Sequence, residues 1–226
     1  MKMIRSSIIC LVVLVLHLAT PLLRGQDLSK YRTFSLGTGM ATVLGHTDQK
    51  LADVKVIHGR PALIQELTWW PPNVPGASFR SDTVEQILFS FYNGGLYKIS
   101  VSYDRASTEG LTAKDMMKSI SEKYGPPTNI AAEADSATNE RYDIKQRAVA
   151  SWEDSQYSFD LVRSSFSDVF GLVIYSKQVN AEAELAIAEA VKLDEQEGPK
   201  REAERQKKET ADLEVTRQKN QKIFRP

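Results

Sequence analysis

Two alternating runs on either side of Asn93-Gly94-Gly95 constrain this chain more than anything else in it. Thr83–Tyr92 and Leu96–Tyr103 are rich in β-branched and aromatic residues, and the Asn-Gly-Gly between them supplies the positive φ that a tight hairpin needs. A period of two puts Ile87, Phe89 and Phe91 on one face of the first strand and Tyr97, Ile99, Val101 and Tyr103 on one face of the second. Similar runs predict strands at Tyr31–Leu36, around Val54 and Val56, and at Leu63–Trp70, Ala148–Glu153, Tyr157–Ser164 and Phe170–Ser176. His58-Gly59-Arg60-Pro61 reads as a turn; 71–82, with three prolines and a glycine, and the polar 128–146 read as loops.

Two helices interrupt the strands. Thr112 followed by Asp115 is a capping-box variant that satisfies orphan amides at a helix start. Met116, Ile120 and Tyr124, with Met117 beside them, make an inward stripe, and Gly125-Pro126-Pro127 ends the helix. A shorter helix follows Gly37-Thr38-Gly39, capped by Thr38 or a neighbour, with Met40, Val43 and Leu44 inward and Gly45 closing it. The expected fold is α+β: an antiparallel sheet of about eight strands, two packed helices arranged as two α-β-β units, and a charged helical extension.

The N-terminus reads as an export signal. Lys2 and Arg5 make a positive n-region, and the apolar run Ile8–Leu23 is about 16 residues long, short of the roughly 20 a membrane-spanning helix needs. Cleavage is expected between Gly25 and Gln26; an uncleaved signal anchoring the protein in the inner membrane is the alternative. Cys10 stands too early in the run for lipidation, and it is the only cysteine. Residues 1–25 carry three of the 29 bases and no acid, so the mature chain has 26 bases against 29 acids. That balance offers no electrostatic reason to bind nucleic acid or an anionic membrane. A mature chain without cysteine or an Asn-x-Ser/Thr acceptor points to a bacterial periplasm or cell exterior rather than an animal secretory route.

Composition changes at Lys177. Residues 177–226 hold 11 acids and 11 bases with few large apolar side chains. Ala181, Leu185, Ala188 and Val191 form a narrow stripe that would dock one helix, and Gly198-Pro199 is expected to break it. The chain thus divides into a signal (1–25), a globular domain (26–176) and a charged helical tail (177–226), read as solvated, with a coiled coil as the alternative.

Val43-Leu44-Gly45-His46 and Lys123-Tyr124-Gly125-Pro126 each end a helix in glycine before strands. In this the chain resembles small exported bacterial tandem modules, the beta-lactamase-inhibitor-protein-like repeats and the small outer-membrane-assembly lipoproteins. The resemblance covers residues 31–176 and implies fold alone. The chain lacks the disulfides of the first group and the lipidated cysteine of the second.

No motif for a nucleophile, metal or cofactor is legible. His46 and His58 sit at glycine turns outside any metal-ligand spacing, and Gly37-Thr38-Gly39 lacks the lysine of a phosphate loop. The expectation is a non-catalytic interaction module of the envelope, without cofactor, whose partner is another envelope protein. Its contact surface is expected on the sheet face or at Trp70, with Trp69 beside it. Alternation puts Trp69 with Leu63 and Leu67, and Trp70 with Ile64, Glu66 and Thr68 beside Pro71-Pro72. An envelope hydrolase assembled from scattered residues and a structural protein oligomerising through its tail are the alternatives. N-terminal sequencing of the exported protein is expected to begin at Gln26; a chain beginning at Met1 would establish the anchored form instead.

Overall fold

A computed structural model of the chain describes residues 27–72, 82–131, 146–164 and 169–225. The signal, its Gly25–Gln26 bond and most of the two expected loops lie outside those residues.

The fold is α+β. A small hairpin, β1 (Lys30–Tyr31) with β2 (Phe34–Ser35), precedes helix α1 (Met40–Thr47) and a 3-10 turn at Leu51–Asp53. Four strands follow: β3 (Lys55–His58), β4 (Ile64–Trp69), β5 (Val84–Tyr92) and β6 (Gly95–Tyr103). A single helical turn, α2 (Arg105–Thr108), leads to α3 (Ala113–Tyr124). Four more strands come next, β7 (Asn129–Ile130), β8 (Gln146–Glu153), β9 (Tyr157–Ser164) and β10 (Phe170–Ser176), and then one long helix, α4 (Lys177–Ile223).

The eight strands β3–β10 form one antiparallel sheet in the order β3-β4-β5-β6-β10-β9-β8-β7. Each half is therefore a helix followed by a four-stranded meander, so the α-β-β unit read from the sequence extends by a further hairpin. The halves join last strand to last strand, from Gly171 opposite Ser102 to Tyr175 opposite Lys98. At this seam the two backbones come close. A Cβ built on Gly171 would stand 2.6 Å from the Val101 carbonyl oxygen, which is why the position carries no side chain.

One sheet face carries the core. Leu67, Ile87, Phe89, Ile99 and Val101 from the first half pack in the same cluster as Trp152, Phe159, Leu161, Leu172 and Ile174 from the second. Val43 of α1, Met116 and Ile120 of α3, and Tyr31 and Phe34 of the small hairpin cover this face. The aromatic contacts are edge-on or tilted, with Phe34 4.6 Å from Phe89 and Tyr124 4.4 Å from Phe159. The indole N–H of Trp152 donates to the Gly125 carbonyl at 2.7 Å, so the end of α3 is tied to the sheet by a buried polar contact.

Local chemistry explains the element ends. Thr112 and Asp115 form the capping box at the start of α3, and Gly125 closes the helix at φ 78°. Asn93 and Gly94 take φ of 49° and 82°, giving the tight β5–β6 turn. That turn is also a junction: Gly94 and Leu96 accept amides from Met40 and Gly37, and Asn93 accepts the Leu63 amide through its side chain.

Several expectations are corrected. Tyr31–Leu36 is a two-residue-per-strand hairpin rather than one strand, because Arg32 turns the chain at φ 55°. Of Thr38 and its neighbours, Gly39 is the residue that precedes α1, and it makes no side-chain cap; the Thr38 hydroxyl donates to Ser35 instead. Gly45 lies inside α1, which ends only at left-handed Asp48. A bulge in the β5–β6 ladder beside Tyr97 sends that ring to the opposite face from Ile99 and Val101. Another bulge in the β8–β9 ladder leaves Ala148 exposed while Ala150 and Trp152 are buried.

The seam makes a sharp prediction. Gly171→Ala forces a methyl group against a carbonyl that the ladder holds in place, and urea unfolding should show a loss of about 1–3 kcal/mol. Gly95→Ala, whose new methyl would meet its nearest atom at 3.6 Å, should change stability by about 0.5 kcal/mol or less. Equal stability of the two variants would mean that the seam relaxes without cost.

Candidate functional site

The second face of the sheet is polar where the first is apolar. One row runs across it through directly paired residues: Glu66, Ser90, Lys98, Tyr175, Ser158 and Glu153. The next row holds Thr68, Leu88, Ser100, Val173, Asp160 and Ser151. Paired side chains of this kind stand about 4.5–5.5 Å apart, close enough to share hydrogen bonds and charge.

Helix α4 leaves β10 without a loop and covers part of this face. Its inward side is Val179, Ala183, Ile187 and their neighbours Ala186 and Ala190, set against Ile57, Ile64, Tyr92 and Tyr97. The expected stripe through Ala181 and Leu185 points outward, with Leu185 73% exposed. The direct strand-to-helix junction decides the phase, and alanines on the inner side let the helix lie close on the Tyr97 ring. Gly198-Pro199 does not break the helix, which runs unbroken from Lys177 to Ile223.

Titratable groups under and beside α4 are perturbed. Burial pushes the Tyr97 hydroxyl up to about 12, with Glu66 and Glu184 adding to the rise. Burial lowers Lys98 from the ordinary lysine value, while Glu66 on β4 and Glu184 on α4 act to keep it charged. Further along the face, burial raises the Asp160 carboxyl, opposed by hydrogen bonds from Ser151 and Ser158. The Tyr175 hydroxyl is raised by burial and by the Asp160 charge. Each group is a cost to folding in its charged form, and each faces away from the apolar core.

A cleft of about 390 Å³ opens where α4 passes the β3–β4 turn, lined by Ile57, His58, Gly59, Arg60, Ala190, Leu193, Asp194 and Arg201. Ile57, Ala190 and Leu193 supply the apolar part of this lining, while His58, Arg60, Asp194 and Arg201 supply its charged groups. Arg60 pairs with Glu197, and the Arg201 Nη2 donates to Asp194 at 2.7 Å. The Arg201 hydrogen bond, with the nearby charges of Arg201, His58 and Arg60, holds the Asp194 carboxyl below its ordinary value.

Of the residues singled out from the sequence, Trp69 and Trp70 separate as alternation implies. Trp69 packs on the core, its ring 5.8 Å from Phe34, while Trp70 is 60% exposed and followed by buried Pro71. His46 is exposed on α1 with its ring edge-on to Phe34, 6.1 Å away, and among the described residues joins no carboxylate pair. His58 lines the same cleft as Asp194, which α4 supplies. Asp104 caps α2 by accepting the Ser107 amide. Among the described residues no group of three or more His, Cys, Asp or Glu is placed to hold a metal ion. None of the described helices is long and apolar enough to cross a membrane.

The tryptophan pair offers a direct check. Trp70→Ala should leave urea stability within about 0.5 kcal/mol of the parent, whereas Trp69→Ala should cost about 2–4 kcal/mol through the lost ring and the space left behind.

Comparison with known proteins finds no family model, no curated relative and no solved structure that matches this chain.

Proposed function

We propose that the chain is an exported interaction module of a bacterial cell envelope, in which a rigid α+β head carries a helical arm that meets another envelope protein. The observation that carries this reading is the outer part of α4. From Arg201 to Ile223 every residue is exposed except Glu214, which is half-buried. A helix of that length reaches roughly 35 Å at 1.5 Å per residue. A helix polar on all sides persists away from a core only with local pairing or a partner to bridge to. The local pairing is present: Glu202 accepts from Arg205 and Gln206, and Glu214 from Arg217 and Gln218. The arm also exposes Leu213, Val215, Ile223 and Phe224, apolar groups that a partner would cover.

The export signal supports the compartment. Trp70 and the open rows of the second sheet face are the contact surfaces proposed on the head. If the signal is retained, the same module works tethered to the inner membrane.

A hydrolase is the second reading, favoured by the cleft that brings His58 near Asp194. Turnover of a p-nitrophenyl ester by the parent and by His58→Ala tests it; equal rates would sink it.

The interaction reading is tested by affinity capture from the native envelope, with the whole chain and a chain ending at Lys200 as baits. The two should melt alike, and a partner held by the whole chain should be lost from the truncated one. Capture that is unaffected by removing the arm would overturn the arm's role. A drop in sedimenting mass on truncation would instead favour the oligomerising structural protein.

A further inference from the structure

The cleft at the root of the arm has a composition that the interaction reading does not use. It sits between the β3–β4 turn and α4, and its size falls within the range of small-ligand sites, roughly 300–1,000 Å³. Three basic side chains, His58, Arg60 and Arg201, line it together with one acid, Asp194; a second acid, Glu197, holds Arg60.

The hydrogen bonds show how these charges are committed. Arg201 gives one N–H, from Nη2, to Asp194, and Arg60 gives one, also from Nη2, to Glu197. A guanidinium carries five N–H donors in a planar fork, so among the described residues most of both forks remains available for a further acceptor. The two carboxylates anchor the two arginines and thereby fix where the remaining donors stand. Asp194 and Arg201 are each about half exposed, so the site is open to solutes. A Cβ at Gly59 would meet nothing within 4 Å, so there is room beside the turn as well. Ile57, Ala190 and Leu193 provide an apolar patch next to these donors.

We propose that this cleft binds a small organic oxyanion, a carboxylate or phosphate group carried on a short apolar body, with Arg60 and Arg201 as the paired donors and His58 as a third contact. The charged end enters between the two guanidinium forks and the body lies on Ile57, Ala190 and Leu193. Because one fork comes from the head and the other from α4 just past Pro199, a bound oxyanion also links the arm's root to the sheet. This inference is independent of which partner the arm meets.

The test is an NMR titration of the whole chain, following the Arg60 and Arg201 Nε–H signals and the Gly59 amide. The probes are butyrate, butyl phosphate, inorganic phosphate and butanol. Butyrate or butyl phosphate should shift all three signals saturably, and comparison of the two tells a carboxylate from a phosphate preference. Inorganic phosphate should bind about tenfold more weakly than the better of the two, and butanol should not shift the arginine signals. Arg60→Gln and Arg201→Gln should each weaken binding about tenfold, corresponding to about 1.4 kcal/mol. The dispersed amide spectrum of each variant reports independently that it is folded. If neither butyrate nor butyl phosphate saturates, there is no such site. If inorganic phosphate binds as well as both, the apolar body is wrong. Unchanged binding in both folded glutamine variants would remove the arginines from the site.

Discussion

Everything in this molecule hangs from the pairing of β6 with β10. Each half of the sheet is a four-stranded meander with one helix. Joining the two last strands turns two half-sheets into one and lines up Ile99 and Val101 with Leu172 and Ile174 on a common apolar face. Helices α1 and α3 and the N-terminal hairpin then close over a single cluster rather than two. The close approach at Gly171 is the geometric condition for that union. Tyr124 of α3 adds a smaller tie by donating to the Lys30 carbonyl of β1.

Burial on the first face and polarity on the second have a direct consequence for α4. A helix laid on a face with Lys98, Glu66 and Ser90 in its central row has only a small apolar patch to bury. It docks through Ala183, Ala186 and Ala190, with Ile187 and Val179 as the larger groups, and through charge: Lys177 with Glu153 at its start and Arg60 with Glu197 near the point where it leaves. Burial lowers Lys98 from the ordinary lysine value against the opposing charges of Glu66 on the sheet and Glu184 on the helix, a desolvation cost that a wholly apolar interface would avoid. The cleft at His58 and the free arm beyond Arg201 both follow from this arrangement. The helix touches the edge of the sheet, and then there is no more sheet to cover.

Much of the fold was legible in the residues because local rules decide it. The Asn93-Gly94 turn, the Thr112–Asp115 capping box and the alternation along β5 and β9 depend on neighbours within a few positions. Misreadings cluster where a distant element intervenes. Tyr97 has the spacing of a core residue, but the bulge against β5 sends it under α4. Leu185 looks like the docking residue of the tail, yet the phase set by the β10–α4 junction turns it to solvent. Gly198-Pro199 reads as a helix end because proline loses one backbone hydrogen bond, but α4 runs through it unbroken. The cleft was the least legible part. Its histidine and turn arginine lie about 140 positions before the acids and arginine that complete it, and no local pattern links residues so far apart.

By itself, the sequence determined the α+β class, the hairpins and capped helix, the separation of Trp69 from Trp70, and the change of character at Lys177, since each rests on side-chain period, turn chemistry or composition. Only the tertiary structure decided which strands meet at the seam, which side of α4 faces the sheet, and that His58, Arg60, Asp194 and Arg201 share one cleft. Those outcomes depend on pairings between segments far apart in the chain, selected by the burial of one common apolar face rather than by any local preference.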